Sequence, residues 1–388
     1  MARWLPKPLN QRWLRAKKLG LPALLVMLPA FLWLALTCAV AQAFVLPLFY
    51  FGFRRQYYIA SRHIYSVMHR PLIYLFRYSR STVTLHGSRL SEVVANFGRD
   101  QSVIIVNHRG DLDWLVGLLC LDAFGGVGAC KAMIKSDLLL VPFFGFVWWA
   151  CDFISLKRNW ASDESTLKRS CANQHCYREE KVPYALTVFP EGTRITPEKL
   201  QASQEFCRKK ELPVYRNLLC PRTKGLWSAV SALKLDALYD ATVTPPIDSG
   251  PETNMLTLAR GLPCDIHIHF ERILPTDIPK EEQEFALWLY HRWSVKEERL
   301  DRFLIEREML VHGEEEKTLR IHPSKASSKV MYGAIVWYFF CAFVFTIVTL
   351  RNGWYRLFFG WTFTFSGLMA LLGAVLHAVH FKKSTHGR

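Results

Sequence analysis

The chain has 388 residues, 51% of them hydrophobic and 14% aromatic, with 49 basic against 33 acidic side chains and a formal charge of +16. That length suits one sizeable core with added elements, and a positive surplus of this size implies an anionic partner. Nucleic acid is not expected in that role, because no RNP-like aromatic motif, basic zipper or zinc-finger spacing accompanies the charge. The ten cysteines contain no Cys-x-x-Cys pair, so neither a disulfide framework nor a zinc site is expected.

Residues 21–53 hold no charged side chain over 33 positions, and at about 1.5 Å per residue such a helix overshoots the roughly 30 Å of a bilayer core. Pro22, Pro29 and Pro47 interrupt the run, which favours a kinked or re-entrant pair of helices over one long span. Six basic and no acidic residues precede the run (Arg3, Lys7, Arg12, Arg15, Lys17, Lys18), and six follow it (Arg54, Arg55, Arg62, Arg70, Arg77, Arg80). Anionic lipid headgroups account for charge so placed. With both flanks strongly basic, the positive-inside rule keeps both on one side, as a hairpin does.

Between the membrane ends, β-rich runs alternate with helical patterns, the mark of an α/β domain with a largely parallel sheet flanked by helices. Strands are expected at 102–106 (SVIIV), 184–189 (YALTVF), 237–243 (ALYDATV) and 264–270 (CDIHIHF), and helices at 113–123, 163–180, 224–235 and 280–310. The polar stretch 313–329, with Pro323 and several serines, reads as a linker. Apolar runs at 331–350 and 357–379, split by a short Arg-containing turn, read as a transmembrane hairpin. The resulting division is 1–80, membrane-embedded helices; 81–312, the α/β domain; 313–330, a linker; and 331–388, a C-terminal hairpin with a basic tail.

Chemistry is concentrated where strands end. Asn107-His108-Arg109-Gly110-Asp111-Leu112-Asp113-Trp114 follows the strand at 102–106, and α/β enzymes bind ligands at such strand ends. His108 and Asp113 are five apart, about 140° apart on a regular helix. They meet only if His108 lies in the loop and Asp113 in the first turn. The carboxylate then orients an imidazole that can take a proton from an attacking hydroxyl; the alternative is a capping loop with an ordinary polar histidine.

Phe189-Pro190-Glu191-Gly192-Thr193-Arg194 follows the next β-rich run. Gly192 permits close backbone approach, Thr193 adds a hydroxyl, Arg194 offers a fork suited to phosphate, and Glu191 can position either; a surface turn with a Glu/Arg pair is the alternative. Lys157 and Arg158 end another apolar run, and Pro221-Arg222-Thr223-Lys224-Gly225 sets two cations at a helix start, where an anion is favoured. For both, a solvated basic face is the alternative. His267 and His269 share one side of a strand but lack a third ligand at sensible spacing, so no metal site is expected.

Taken in order, NHRGDLDW, FISLKRNW, FPEGTR and YDATVTPP resemble the four motifs of the glycerolipid acyltransferase family, in the eukaryotic branch that holds 1-acylglycerol-3-phosphate and lysocardiolipin acyltransferases. The likeness covers about residues 85–270. It implies acyl transfer from acyl-CoA, a substrate rather than a cofactor, to the sn-2 hydroxyl of lysophosphatidic acid. His108 is then the general base and Asp113 its partner. Glu191, Gly192, Thr193, Arg194, Lys157 and Arg158 form the acceptor-phosphate site, with Arg222, Lys224 and Pro245 as acyl-CoA or anion contacts. It also implies an integral protein of the endoplasmic reticulum, in contact with membrane lipids; the basic flanks of the apolar runs place the catalytic domain on the cytoplasmic face. Lysocardiolipin or lysophosphatidylinositol remain alternative acceptors, and a lipid-binding protein without catalysis is the reading from another class. A hydrolase lacks support, since no Gly-x-Ser-x-Gly elbow is present.

Overall fold

The computed structural model describes residues 11–157, 160–246, 254–309 and 317–351. The N-terminal run is one uninterrupted helix, α1 (Gln11–Tyr50), of 40 residues, about 60 Å long at 1.5 Å per residue. This corrects the re-entrant pair expected within 21–53. Each proline removes one backbone donor without forcing the chain to turn, and packing neighbours along the helix hold its course. The reversal comes one step later, at Phe51-Gly52-Phe53, where Gly52 adopts a φ of +86°. Helix α2 (Arg54–Tyr78) then runs back beside α1, and Gln42 Nε2 donates to Ser61 Oγ across the pair at 2.9 Å. Two of the arginines that follow the first apolar run make contacts within the protein. Arg77 donates to Pro323 O at 2.6 Å, and Arg70 lies 3.8 Å from the buried Asp122.

The α/β part is an eight-stranded sheet in the order β4-β3-β5-β2-β6-β7-β1-β8. Its strands are β1 (Thr82–Gly87), β2 (Gln101–Val106), β3 (Cys130–Lys135), β4 (Ile154–Leu156), β5 (Tyr184–Val188), β6 (Ala237–Val243), β7 (Asp265–Ile273) and β8 (Lys317–Ile321). Five of the seven pairings are parallel; β6–β7 and β1–β8 are antiparallel. Every residue of β2 and β6 is buried, which is why these central strands read as near-continuous apolar runs. Strand β8 corrects the linker expected at 313–330. Residues 317–321 pair with β1 as an edge strand with only Ile321 buried, so no alternation marks them.

The helices are α3 (Leu90–Asn96), α4 (Asp113–Ala123), α5 (Phe144–Ala150), α6 (Trp160–Glu179), α7 (Pro197–Lys209), α8 (Thr223–Ala232), α9 (Met255–Ala259), α10 (Glu282–Glu306) and α11 (Lys325–Arg351). Phe285, Trp293 and Phe303 anchor α10 with no exposed surface, each worth about 1.5–3 kcal/mol of burial.

Helix α11 begins at Lys325, earlier than the expected 331. Its N-terminal turn is clasped by Asp122 of α4, which accepts from Ser324 N at 2.7 Å and from the Ser324 and Ser327 hydroxyls at 2.9 Å. Residues 24–50 and 325–348 are long and apolar enough to cross a membrane. They expose large apolar side chains, among them Phe44, Val336 and Phe343, so the structure is suited to membrane association. The second apolar run of the C-terminal hairpin, 357–379, lies outside the described residues.

Candidate active site

Strands β2, β4, β5 and β6 run in one direction, so the segments that follow them emerge at the same edge of the sheet. The register Ile105↔Val188 brings the ends of β2 and β5 level. Asn107 extends the β2–β6 pairing with its side chain, donating to Val243 O at 2.9 Å and accepting from Val243 N at 2.8 Å. That clasp fixes the backbone immediately before His108.

His108 sits in the loop and Asp113 is the first residue of α4, the arrangement in which the two can meet. His108 Nδ1 lies 2.9 Å from Asp113 Oδ2, and the same oxygen accepts from Arg109 N at 2.6 Å and Gly110 N at 2.8 Å. Asp113 is 6% exposed and His108 20%. A carboxylate so placed holds the proton on Nδ1 and leaves Nε2 able to accept one. Phe189 stacks on the imidazole with ring centroids 4.3 Å apart.

Glu191 is buried and staples two loops, accepting from His108 N at 3.2 Å and from Leu219 N at 3.3 Å. Burial pushes its carboxyl up to about 8, against the opposing pull of those two N–H groups. Gly192 takes a φ of +70°, a left-handed conformation that favours glycine. Arg194 is ion-paired with Asp111, tying the FPEGTR segment to the histidine loop.

His108, Asp113, Phe189, Glu191 and Gly192 border a cavity of ≈ 1020 Å³. One part is polar, lined by His108, Asp113, Glu191, Gly192, Thr193, Arg222 and Lys224; the other is apolar, lined by Val106, Val116, Cys120, Ile268 and Phe270, all buried. Arg194, Lys157 and Pro245 do not line it. Lys157 is exposed and donates its backbone N–H to Asp163 Oδ1 at 2.8 Å, and Arg158 lies outside the described residues. A second histidine, His69, also borders the cavity but has both nitrogens occupied. Nδ1 lies 2.8 Å from Tyr65 O, and Trp148 Nε1 donates to Nε2 at 3.1 Å. Burial lowers its pKa to about 4, so it is a neutral wall residue.

Sequence reasoning missed the support behind the histidine loop. Arg109 Nη1 donates to Asn217 O at 2.7 Å, and Glu297 of α10 accepts from Asn217 N at 3.0 Å. The partners are 108 and 80 residues apart, a separation no local pattern reveals.

The acyltransferase profile matches residues 82–245 and the acyltransferase C-terminus profile residues 257–336. The chain is 38% identical over 215 residues to 1-acyl-sn-glycerol-3-phosphate acyltransferase 2 of Brassica oleracea, covering 55% of this chain and 54% of that protein. It is 38% identical over 216 residues to the protein of the same name in Arabidopsis thaliana, covering 55% and 54%. Against lysocardiolipin acyltransferase 1 of Mus musculus it is 30% identical over 321 residues, covering 80% and 82%. The chain thus spans about half the length of the two plant relatives and most of the mouse one. With its motif loops gathered at one sheet edge and 80% of its length aligned to such a relative, the chain belongs to the acyltransferase family, in the branch of 1-acyl-sn-glycerol-3-phosphate and lysocardiolipin acyltransferases.

Proposed function

We propose that this protein transfers a fatty acyl group from acyl-CoA to the sn-2 hydroxyl of lysophosphatidic acid, giving phosphatidic acid and free CoA. The observation that carries this reading is the 2.9 Å contact of His108 Nδ1 with Asp113 at the polar end of a cavity whose interior is apolar. His108 Nε2 takes the acceptor hydroxyl's proton as its oxygen attacks the thioester carbonyl. The tetrahedral intermediate expels the CoA sulfur, which regains the proton from the imidazolium. Asp113 stabilises that imidazolium and fixes the reactive tautomer. The apolar part of the cavity takes an acyl chain, and the reaction needs no cofactor. Acyl-CoA reaches the site from the cytoplasm, while α1 and α11 hold the enzyme on its membrane, the endoplasmic reticulum by the family likeness.

The names of the plant relatives support lysophosphatidic acid as acceptor. A second reading, lysocardiolipin, is favoured by the mouse relative, which aligns with 80% of the chain. Incubating purified protein with labelled acyl-CoA and a panel of lysophosphatidic acid, lysophosphatidylinositol and lysocardiolipin separates them. Preferential consumption of lysophosphatidic acid is expected; preference for lysocardiolipin selects the second reading, and label remaining on CoA with every acceptor refutes both.

A further inference from the structure

The segment Pro221–Gly225 has no part in the proton transfer, yet it forms a wall of the same cavity. Arg222 N donates to Pro190 O at 2.8 Å, docking this segment on the Phe189–Arg194 loop. Its side chain lies directly over Gly192: a Cβ on that glycine would stand 3.1 Å from Arg222 Nε and 3.3 Å from Cζ. The absence of a side chain at Gly192 therefore leaves the room in which the guanidinium rests. Lys224 lines the cavity two residues on, and Lys199 shapes the adjoining wall by donating to Thr193 Oγ1 at 2.7 Å.

The charges there are unbalanced. Among the described residues no carboxylate pairs with Arg222 or Lys224, whereas Arg194 is held by Asp111 and does not line the cavity. The nearby Glu191 is buried and already accepts from two backbone N–H groups. The first turn of α8 contains no acidic residue, and its N-cap, Arg222, supplies no side-chain cap. Two solvent-exposed cations at the cavity wall, with no carboxylate among the described residues to meet them, are placed to take an anion from the ligand.

The geometry points to a phosphate-binding subsite formed by Arg222 and Lys224 over Gly192, separate from Arg194. Which substrate supplies the phosphate rests on the acyl-transfer reading: it is the phosphate of the lysophospholipid or a phosphate of CoA. The subsite itself is tested by binding alone, which stays informative even if no acyl transfer occurs.

Calorimetric titration of the full chain in detergent compares lysophosphatidic acid with a monoacylglycerol, and CoA with pantetheine, which lacks phosphate. A charge-assisted hydrogen bond is worth about tenfold or more in affinity. Arg222→Ala and Lys224→Ala are therefore each expected to weaken binding of a phosphate-bearing ligand by about tenfold or more. Arg222→Lys is expected to lose less, because it keeps the charge. Weakening confined to lysophosphatidic acid places the acceptor phosphate here, and weakening confined to CoA places the donor. Equal weakening of monoacylglycerol or pantetheine overturns the phosphate assignment, because those ligands carry none. Unchanged binding of all four in Lys224→Ala and Arg222→Lys proteins with the parental unfolding temperature overturns the subsite, as does a tenfold loss seen only with Arg194→Ala.

Discussion

Two buried carboxylates, one within β6 and one just past the end of β5, behave in opposite ways. Asp240, in the middle of β6, is enclosed by cations from α10. Lys296 pairs with it and also donates to Ala241 O at 2.6 Å, while Arg292 Nε donates to it at 2.7 Å and reaches on to Glu271. Burial alone raises such a carboxyl, but Lys296 and Arg292 outweigh it and hold Asp240 well below the usual carboxylate range. Glu191, past the end of β5, has backbone N–H partners and, among the described residues, no ion pair, and burial pushes its carboxyl up to about 8. Asp240 does not line the cavity; Asp113 and Glu191 do. A buried acid saturated by cations is a clamp. One held by N–H groups at a cavity wall keeps its protonation and its neighbours open to a ligand.

Variants at the two places are expected to fail differently. Asp113→Asn removes the group that fixes the His108 tautomer, so turnover is expected to fall by about 10² to 10⁴ with little change in unfolding temperature; near-normal kcat breaks the comparison. Lys296→Met leaves part of the Asp240 charge uncompensated and is expected to cost about 3–5 kcal/mol of stability. Activity per folded molecule is expected to hold, as checked by denaturant unfolding alongside the assay.

Glu191→Gln sharpens the contrast through pH. The folded protein binds the Glu191 proton more tightly than the unfolded chain, whose carboxyl titrates near 4.5. Folding therefore takes up a proton between these values, and the stability gained at low pH is lost as pH rises towards about 8. The unfolding temperature of the parent is expected to fall with pH across that window more steeply than that of Glu191→Gln; parallel slopes would remove Glu191 as the cause. The smallest effect is expected from Asp111→Asn, which breaks a half-exposed pair with Arg194 worth about 0.2–1 kcal/mol. Thermal unfolding beside the parent measures it.

What the sequence reveals of this protein follows from how local each feature is. Strands β2, β5 and β6 are buried runs bounded by polar loops, and they stand almost where 102–106, 184–189 and 237–243 place them. Helix α4 spans the expected 113–123. Strands β1, β3, β4 and β8 escape notice because they are short or mixed in burial, β4 having three residues and β8 one buried position. The three prolines of α1 point to an interruption that the helix does not make, because its neighbours lie outside any sequence window. The pairing of His108 with Asp113 is legible from spacing once the loop is placed. The Asn217–Glu297 anchor, the stacking of Phe189 and the position of Arg222 over Gly192 arise only when distant segments fold together.

The central claim is that His108 is the base of an acyl transfer in this cavity, and comparing His108→Ala with the parent tests it most directly. Both proteins, matched for unfolding temperature, are given labelled acyl-CoA and lysophosphatidic acid under single-turnover conditions. The account predicts that the rate of product formation drops by about 10² to 10⁴ while lysophosphatidic acid still binds. A folded His108→Ala protein that forms product at close to the parental rate would contradict it.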